Sequence, residues 1–268
     1  MKPINLALSG YSTHPEPFHH DFPNGLDTYI IRLQSEGISR ALVDGTLIDI
    51  TPGDLLLFKP GDLYELRVGE AGEPVKPNGD YFIMTTGEGM DEWWLRKKRP
   101  TKTKIAEDGR IKTLWHQIIM EKRRLDGGQS ELVTLLILSL LTMLDRAIEE
   151  APTIQSASAY HAIRMRNFVE AHASQEIRLE DVARDAGLSV SRTVHLFKDY
   201  YGTTIIGYLQ QIRMAHAVDL LHHSPLSLEQ IAAETGLGSY AYFHRVFRAQ
   251  YGMAPGAYRK KKYSGHQV

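Results

Sequence analysis

The first hundred residues alternate short apolar runs with turn residues, which is the pattern of β-strands. The runs are separated by turns such as Glu36-Gly37, Asp44-Gly45 and Pro52-Gly53. Asp-Gly between apolar runs is a strong hairpin signal. Many short strands with regular turns predict a small all-β barrel or jelly roll. The predicted strands are 28–33, 39–42, 46–50, 54–58, 63–68 and 80–85.

The hydrophobic period changes after Arg110, where apolar residues recur at the three- and four-residue spacing of a helix. They are Ile111, Leu114, Trp115, Ile118 and Ile119. This spacing predicts an amphipathic helix. After a polar turn at 122–128, a leucine-rich helix is predicted from Ser130 to about Glu150. The stretch 151–158 contains a proline and small polar residues, which is typical of a linker.

The last ninety residues contain one helix-turn-helix pattern twice, at 179–202 and at 228–252. Five positions of the first copy recur 49 residues later, and they are Leu179, Glu180, Ala183, Gly187 and Leu188. Three further positions recur 50 residues later, and they are Phe197, Tyr201 and Gly202. The slip of one predicts an extra residue near the start of the second recognition helix. A long helix, about 204–222, is predicted to join the copies.

Each repeated position has a physical role in this motif. Gly187 and Gly236 are expected to end a helix in the left-handed conformation, which favours a residue without Cβ. Ser189 and Ser239 are expected to cap the recognition helices. Two copies in register predict a protein that reads two nearby stretches of duplex DNA. The alternative is two unrelated helix pairs in a helical bundle.

Composition and charge add two constraints. The length of 268 residues favours two domains. The overall charge of −1 conceals an acidic N-terminal half and a basic C-terminal half, which suits a nucleic-acid reader fused to another module. The chain has no cysteine, which excludes disulfides, cysteine-ligated metals and a cysteine nucleophile. No signal peptide or membrane-length apolar run is visible, so a cytoplasmic protein without membrane contact is expected.

The second copy ends in YGMAPGAYR at 251–259, and together with the doubled pattern this closely resembles the AraC/XylS family of transcription regulators. The resemblance covers 160–262 and extends more weakly over the whole chain. The segment 45–58 resembles a cupin-type sensor, and 130–132 resembles a dimerisation region. The resemblance implies a cupin-like effector domain with an N-terminal arm at 1–100, a helical dimerisation region at 105–150, a linker at 151–159 and a double helix-turn-helix domain at 160–262.

The resemblance also implies which side chains contact DNA, namely those on the exposed face of each recognition helix. In the first helix they are Ser191, Arg192, Val194 and His195. In the second helix they are Tyr240, Ala241, His244 and Arg245. Arginine can bind guanine bidentately or contact phosphate, and histidine does so less strongly. Many members have arginine at His195 and amides at Tyr240 and Ala241, so DNA binding carries over but the base sequence does not.

For the effector, positions that hold sugar-binding residues in a sensor of this family fall on Phe22, Leu66 and Phe82. An aromatic platform is retained but the polar clamp is not, so the ligand of that sensor does not carry over. A sugar or another small polar metabolite is still the expected effector. The full set of expected effector residues is Leu8, His19, His20, Phe22, Arg32, Arg40, Tyr64, Leu66, Phe82 and Trp93. The arm at 1–23 either closes over the ligand and switches the protein, or is a permanent barrel strand.

Two further partners are expected. The leucine helix has an approximate heptad seam that predicts a homodimer, formed by Leu132, Leu136, Leu140 and Met143. The alternative is a wholly buried core helix. The family resemblance also implies a contact with RNA polymerase. Neither activation nor repression is specified by the sequence.

Besides a ligand-responsive regulator, the sequence leaves two alternative functions open. The first is a DNA-binding protein whose β domain serves only dimerisation. The second is a cupin metalloenzyme, for which His14, His19 and His20 would have to cluster. Because His19 and His20 are adjacent, they would point to opposite faces of a strand. The sequence therefore predicts no metal, no cofactor and no catalysis.

Overall fold

The computed structural model describes residues 2–70, 72, 74–124, 131–151 and 157–264, with side chains up to residue 260. The chain divides into two compact units, Met1–Tyr160 and His161–Val268. The predicted polar turn at 122–128 and linker at 151–159 lie largely outside the described residues. The first unit is rich in β-strands and the second is helical, as the hydrophobic pattern predicts.

The N-terminal unit contains nine strands among its described residues, arranged as two antiparallel sheets. The five-stranded sheet has the order β1-β8-β3-β6-β9, and the four-stranded sheet has the order β2-β7-β4-β5. The strands are β1 (Asn5–Ser12), β2 (Phe18–Phe22), β3 (Tyr29–Glu36), β4 (Ser39–Val43), β5 (Thr46–Ile50), β6 (Asp54–Phe58), β7 (Tyr64–Val68), β8 (Gly79–Thr86) and β9 (Lys102–Lys104).

Alternation along the strands divides the apolar residues of the five-stranded sheet between two cores. On β3, Ile30 belongs to the core between the sheets, whereas Tyr29 and Ile31 belong to a core on the outer face. Successive side chains of a strand point to opposite faces, which explains this division. The outer face is covered by helices α1 (Glu88–Arg96), α2 (Gly109–Lys122) and α3 (Glu131–Glu150). Helix α1 and strand β9 are absent from the sequence prediction.

The N-terminal arm is a strand of this domain. Its residues 5–12 form β1, which pairs with β8, and residues 18–22 form β2, which pairs with β7. Ile4 and Leu6 are buried in the outer core. Deleting residues 1–11 would therefore remove an edge strand and two core side chains.

The C-terminal unit consists of seven helices among its described residues. They are α4 (Ala157–Ala171), α5 (Leu179–Ala186), α6 (Val190–Tyr201), α7 (Ile205–His223), α8 (Leu228–Glu234), α9 (Tyr240–Tyr251) and α10 (Pro255–Ser264). Two separate cores divide it. Helix α7 belongs to both, because Leu209 packs in the first core and Met214 packs in the second. The apolar residues of α7 therefore face different directions in its two halves.

Candidate nucleic-acid interface and effector pocket

The two predicted recognition helices, α6 and α9, begin and end in the same way. Each has 12 residues. Ser189 caps α6 by accepting a hydrogen bond from the Arg192 amide, and Ser239 caps α9 by accepting one from the Tyr242 amide. Each helix ends at a left-handed glycine, Gly202 or Gly252. Both serine caps occupy the predicted positions.

The extra residue of the second copy lies in its turn and not in its recognition helix, which corrects the sequence prediction. The first turn runs from Gly187 directly to Leu188 and Ser189. The second turn has the additional Gly238, with φ of 75°, before the cap Ser239. Positions of α6 and α9 therefore correspond at an offset of 50 residues throughout both helices.

The predicted DNA-contacting side chains lie on the faces of α6 and α9 that point away from the cores. Thr193, Phe197, Phe243 and Phe247 are fully buried and form the opposite faces. Val194 and His244 are half-buried, whereas the others are exposed, namely Ser191, Arg192, His195, Tyr240, Ala241 and Arg245. The arrangement leaves each outer face available for a groove of duplex DNA.

The offset of 50 identifies one exposed residue that the sequence reasoning missed. Ser191 corresponds to Ala241 and Arg192 corresponds to Tyr242, so Tyr242 joins the second set. Tyr242 is 38% exposed. The Arg245 guanidinium lies 5.4 Å from the centre of the Tyr242 ring, which is within cation–π range. An alignment of the two serine caps would have found this residue.

Several predicted effector residues meet on the inner face between the sheets. Leu66 and Tyr64 belong to the inner core, and Phe22 packs against it. His20 is paired with Leu66, and Leu8 is paired with Met84, which also packs against the inner core. Directly opposite residues of an antiparallel pair share a face. His20 and Leu8 are exposed, so this inner face opens to solvent at one end.

A buried charged group lies beside these apolar residues. Arg32 donates to Asp80 at 2.5 Å and to the Tyr64 hydroxyl, and its guanidinium lies 5.4 Å from the Phe82 ring centre. Burial opposes the charge of Arg32, but Tyr64 and Asp80 together raise its pKa above the ordinary value. Burial also raises the pKa of the Tyr64 phenol. A protonated arginine and phenol are thus held within a largely aromatic surface.

Three predicted effector residues lie elsewhere. His19 is on the outer face of β2, where its Nε2 lies 3.2 Å from a carboxylate oxygen of Glu65. Arg40 is on the outer face of β4, 44% exposed, near acidic side chains. Trp93 is buried in the outer core and its indole donates to Asp145 at 3.0 Å. His19 and Arg40 are excluded from the inner face because side chains alternate along a strand. Trp93 lies on the other side of the five-stranded sheet because it belongs to α1.

The leucine helix α3 contradicts part of the predicted dimer seam. Leu140 is fully buried in the outer core of the N-terminal unit, and Leu136 and Met143 pack against that core. Only Leu132, at 47%, is strongly exposed among the four predicted residues. Leu135, outside the predicted seam, is 46% exposed. The seam was placed about a quarter turn away from the exposed face.

The histidines of the N-terminal region do not form a metal site. His14 stacks on Phe18 with ring centres 3.9 Å apart, and burial lowers its pKa. His19 and His20 point to opposite faces of β2, as their adjacency predicts. Across the described ranges, no group of three or more histidine, aspartate or glutamate side chains is arranged to hold a metal ion.

Comparisons with known proteins agree with the repeated helical pattern. A family model described as a helix-turn-helix domain matches residues 182–261. The regulatory protein PocR of Salmonella typhimurium is 37% identical over 110 residues, which are 41% of this chain and 35% of PocR. The Msm operon regulatory protein of Streptococcus mutans is 22% identical over 265 residues, which cover 96% of this chain and 94% of the relative.

Among solved structures, the C-terminal domain of the response regulator AraT from Geobacillus stearothermophilus is 30% identical. The match covers 38% of this chain and 84% of that domain, with a TM-score of 0.36. Within the described residues, no helix is both long enough and apolar enough to cross a membrane. The doubled helix pair, the matched domain and the named relatives agree on one point: the C-terminal domain of this chain is similar to the helix-turn-helix domains of AraC-type transcription regulators.

Proposed function

We propose that the protein is a ligand-responsive transcription regulator that places α6 and α9 in successive major-groove segments of duplex DNA. The observation that carries the proposal is the pair of 12-residue helices with equivalent caps and exposed outer faces. In this arrangement the helices read segments about 34 Å apart on one side of the duplex. Arg192 and Arg245 supply the positive charge, and the remaining contacts come from Ser191, Val194, His195, Tyr240, Ala241, Tyr242 and His244.

In vitro selection tests this proposal directly. The full-length protein is used to select duplexes from a random library, and the affinity for the selected duplex is measured by fluorescence anisotropy. We expect a bipartite consensus, and we expect affinity to fall with salt because bound lysine and arginine displace counterions from phosphates. Selection of no consensus, or of a single short site, would contradict the two-helix proposal.

The effector is proposed to bind between the two sheets of the N-terminal domain, which we assign to the cupin-like jelly rolls. The supporting observation is the buried Arg32 beside Tyr64 and Phe82 at the open inner face. Leu8, His20, Phe22 and Leu66 share that face. A protonated guanidinium and aromatic rings suit a small polar metabolite with oxygen acceptors and a flat or apolar side, such as a sugar.

A thermal-shift screen of the full-length protein against sugars, sugar acids and small aromatic acids tests the pocket. Ligands that raise the melting temperature are then titrated into Phe82→Ala, whose half-buried ring lines the inner face. Arg40→Ala, on the outer face, is the matched control. We expect binding to be lost in the first variant and kept in the second. A response that is the same in both variants would remove the inner face as the binding site, and a screen without any ligand would favour a β domain that only dimerises.

Dimerisation is proposed to use the exposed side of α3 around Leu132 and Leu135. Both side chains are nearly half exposed on one helix, although they are large and apolar. Leu132→Asp is expected to shift the full chain from dimer to monomer in analytical ultracentrifugation. Leu140→Asp is expected to unfold the domain instead, because that side chain is fully buried. A wild-type monomer at micromolar concentration would contradict the proposal.

A further inference from the structure

We propose that Arg213 is a positioning residue that fixes the orientation of α6 relative to α9, and with it the spacing of the two DNA segments that the protein reads. The claim about the spacing of the DNA segments rests on the proposed function. The claim about the orientation of the helices concerns only the C-terminal domain. Each claim has its own test.

Arg213 lies at the middle of α7, between the two cores of the domain. It follows Leu209 of the first core and directly precedes Met214 of the second. Because each core packs on its own half of α7, the helix fixes how far apart the cores lie along its axis. Rotation of one core about this axis relative to the other is restrained by a contact that joins the two halves directly.

The Arg213 side chain makes such a contact through three hydrogen bonds to backbone carbonyl oxygens. Its Nε donates to Ala173 at 2.8 Å and its Nη2 donates to Gln175 at 2.6 Å, both in the loop before α5. Its Nη1 donates to Gly236 at 2.6 Å, in the turn between α8 and α9. One planar group thus connects the first helix pair to the turn that sets the direction of α9.

The close contact between Arg213 and Gly236 favours an arginine at the first position and a glycine at the second. A Cβ atom on Gly236 would lie 3.1 Å from the Arg213 guanidinium carbon and 3.1 Å from the Ser174 carbonyl oxygen. Gly236 therefore allows the close approach as well as the positive φ of 70°. The guanidinium is a rigid fork that donates in three directions at once, whereas a lysine ammonium is a point donor on a flexible stem.

All three acceptors are neutral carbonyls, and Arg213 forms no ion pair with any residue that the structure describes. The Arg213 side chain is half-buried, and this burial lowers the pKa of its guanidinium from the ordinary value. A partly desolvated guanidinium without its acceptors is costly, so the three carbonyls and the side chain hold one another in place. The Arg213 side chain therefore joins the loop before α5 to the turn before α9.

The orientation is measured first without DNA. The chain has no cysteine, so Ser191→Cys with Ala241→Cys gives two unique spin-label sites at equivalent positions of α6 and α9. Pulsed electron resonance then gives the distribution of distances between the labels in the full-length protein. We expect a narrow distribution with Arg213 present and a distribution about twice as broad in Arg213→Met, because a hydrophobic side chain cannot hold the carbonyls.

Two further variants make the measurement specific. Arg213→Lys is expected to give an intermediate width, because it retains charge and one or two donors. Arg178→Met is the matched control, since that side chain is 74% exposed and its ion pair among the described residues is with Glu176. We expect its distribution to equal that of the wild type. A narrow, unshifted distribution in folded Arg213→Met overturns the proposal. Unfolding of both Arg213→Met and Arg213→Lys overturns it as well, because the residue would then act in folding.

The consequence for DNA is measured with the duplex that the wild type selects. Inserting one base pair between the two half-sites moves one of them by about 3.4 Å and rotates it. We expect the wild type to lose about tenfold in affinity and Arg213→Met to lose less than about threefold, starting from a weaker complex. Equal penalties overturn the spacing role. Failure of the wild type to select any duplex contradicts the proposed function and leaves the orientation measurement to decide on Arg213.

Discussion

The first helix pair, α5 and α6, and the second, α8 and α9, have equivalent serine caps, left-handed glycines and 12-residue second helices. Their surfaces differ. On the first, the arginine occupies the third helical position, at Arg192, and the sixth position has His195. On the second, the arginine occupies the sixth position, at Arg245, and the third position has Tyr242. The scaffold is repeated, whereas the exposed side chains that we propose contact DNA are arranged differently.

The buried sides differ in a related way. Thr193 and Phe243 are both fully buried at corresponding positions, although one is a small polar residue and the other a large ring. Four positions later, both helices have a fully buried phenylalanine, Phe197 or Phe247. The second core therefore contains two fully buried rings from α9. The first core contains one fully buried ring from α6, together with residues of α4 such as Met165 and Val169.

The largest expected difference between the two pairs comes from removing the ring that only one of them has. Phe243→Ala is expected to destabilise the second core by about 3–5 kcal/mol, because a large buried side chain leaves a cavity. Thr193→Ala is expected to cost about 1 kcal/mol. Hydrogen exchange of the full-length protein, followed by mass spectrometry, separates the peptides of the two cores. Equal exchange in the two variants would contradict the comparison.

The next effect concerns the sixth helical position of each outer face. Arg245→Ala is expected to weaken binding to the selected duplex by about 1–3 kcal/mol, because it removes a base or phosphate contact. His195→Ala is expected to cost less, because imidazole is a weaker and smaller contact group. Fluorescence anisotropy measures both, with Arg178→Ala as an exposed control. Wild-type affinity in both folded variants would show that the outer faces are wrongly assigned.

A smaller effect distinguishes the two turn glycines. Gly187 and Gly236 have φ values of 68° and 70°, so alanine is strained at either position. A Cβ at Gly187 meets no atom within 4 Å, whereas at Gly236 it meets Arg213 and Ser174. We expect Gly187→Ala to cost about 1 kcal/mol and Gly236→Ala about 2 kcal/mol. Thermal unfolding of the full chain measures the two stability losses. A smaller loss in Gly236→Ala than in Gly187→Ala would contradict this prediction.

The sequence predicts the helical repeat well because its signals are local. Gly187 needs a left-handed conformation and Ser189 caps a helix, and both properties are set by residues within one turn. The position of the additional residue was harder, because aligning the apolar positions alone does not separate a longer turn from a longer helix. The pairing of Ser189 with Ser239 resolves it, and the structure places the extra residue at Gly238.

The effector residues were predicted less well, because their placement depends on contacts between distant strands. Arg32, Tyr64 and Phe82 lie on β3, β7 and β8, and only the fold of the two sheets brings them together. Trp93 was misplaced because helix α1 was not predicted from the sequence. Leu140 was misplaced because α3 is apolar on more than one side, so the pattern alone does not identify its exposed face.

The smallest expected effect is a gain in stability at the buried threonine of the first pair. The Thr193 hydroxyl is buried and has no hydrogen-bond partner among the described residues. Thr193→Val replaces it with a methyl group of similar shape and retains the branched side chain. We expect a gain of about 1 kcal/mol, because the folded state no longer holds an unsatisfied hydroxyl. Affinity for the selected duplex should stay unchanged, because the side chain faces the core and not the groove.

The second pair offers a matched control, since Thr235 is also fully buried. Its hydroxyl donates to the Ile231 carbonyl at 2.7 Å, so Thr235→Val removes a hydrogen bond that is made. We expect Thr235→Val to lower the free energy of unfolding by about 0.5–1.5 kcal/mol, whereas Thr193→Val raises it. Hydrogen exchange measures the stability change of each core. Changes of opposite sign in the two variants would show that the presence of a hydrogen-bond partner, and not the residue type, decides how much a buried threonine contributes to stability. A loss in both variants would mean that the Thr193 hydroxyl has a partner in solution.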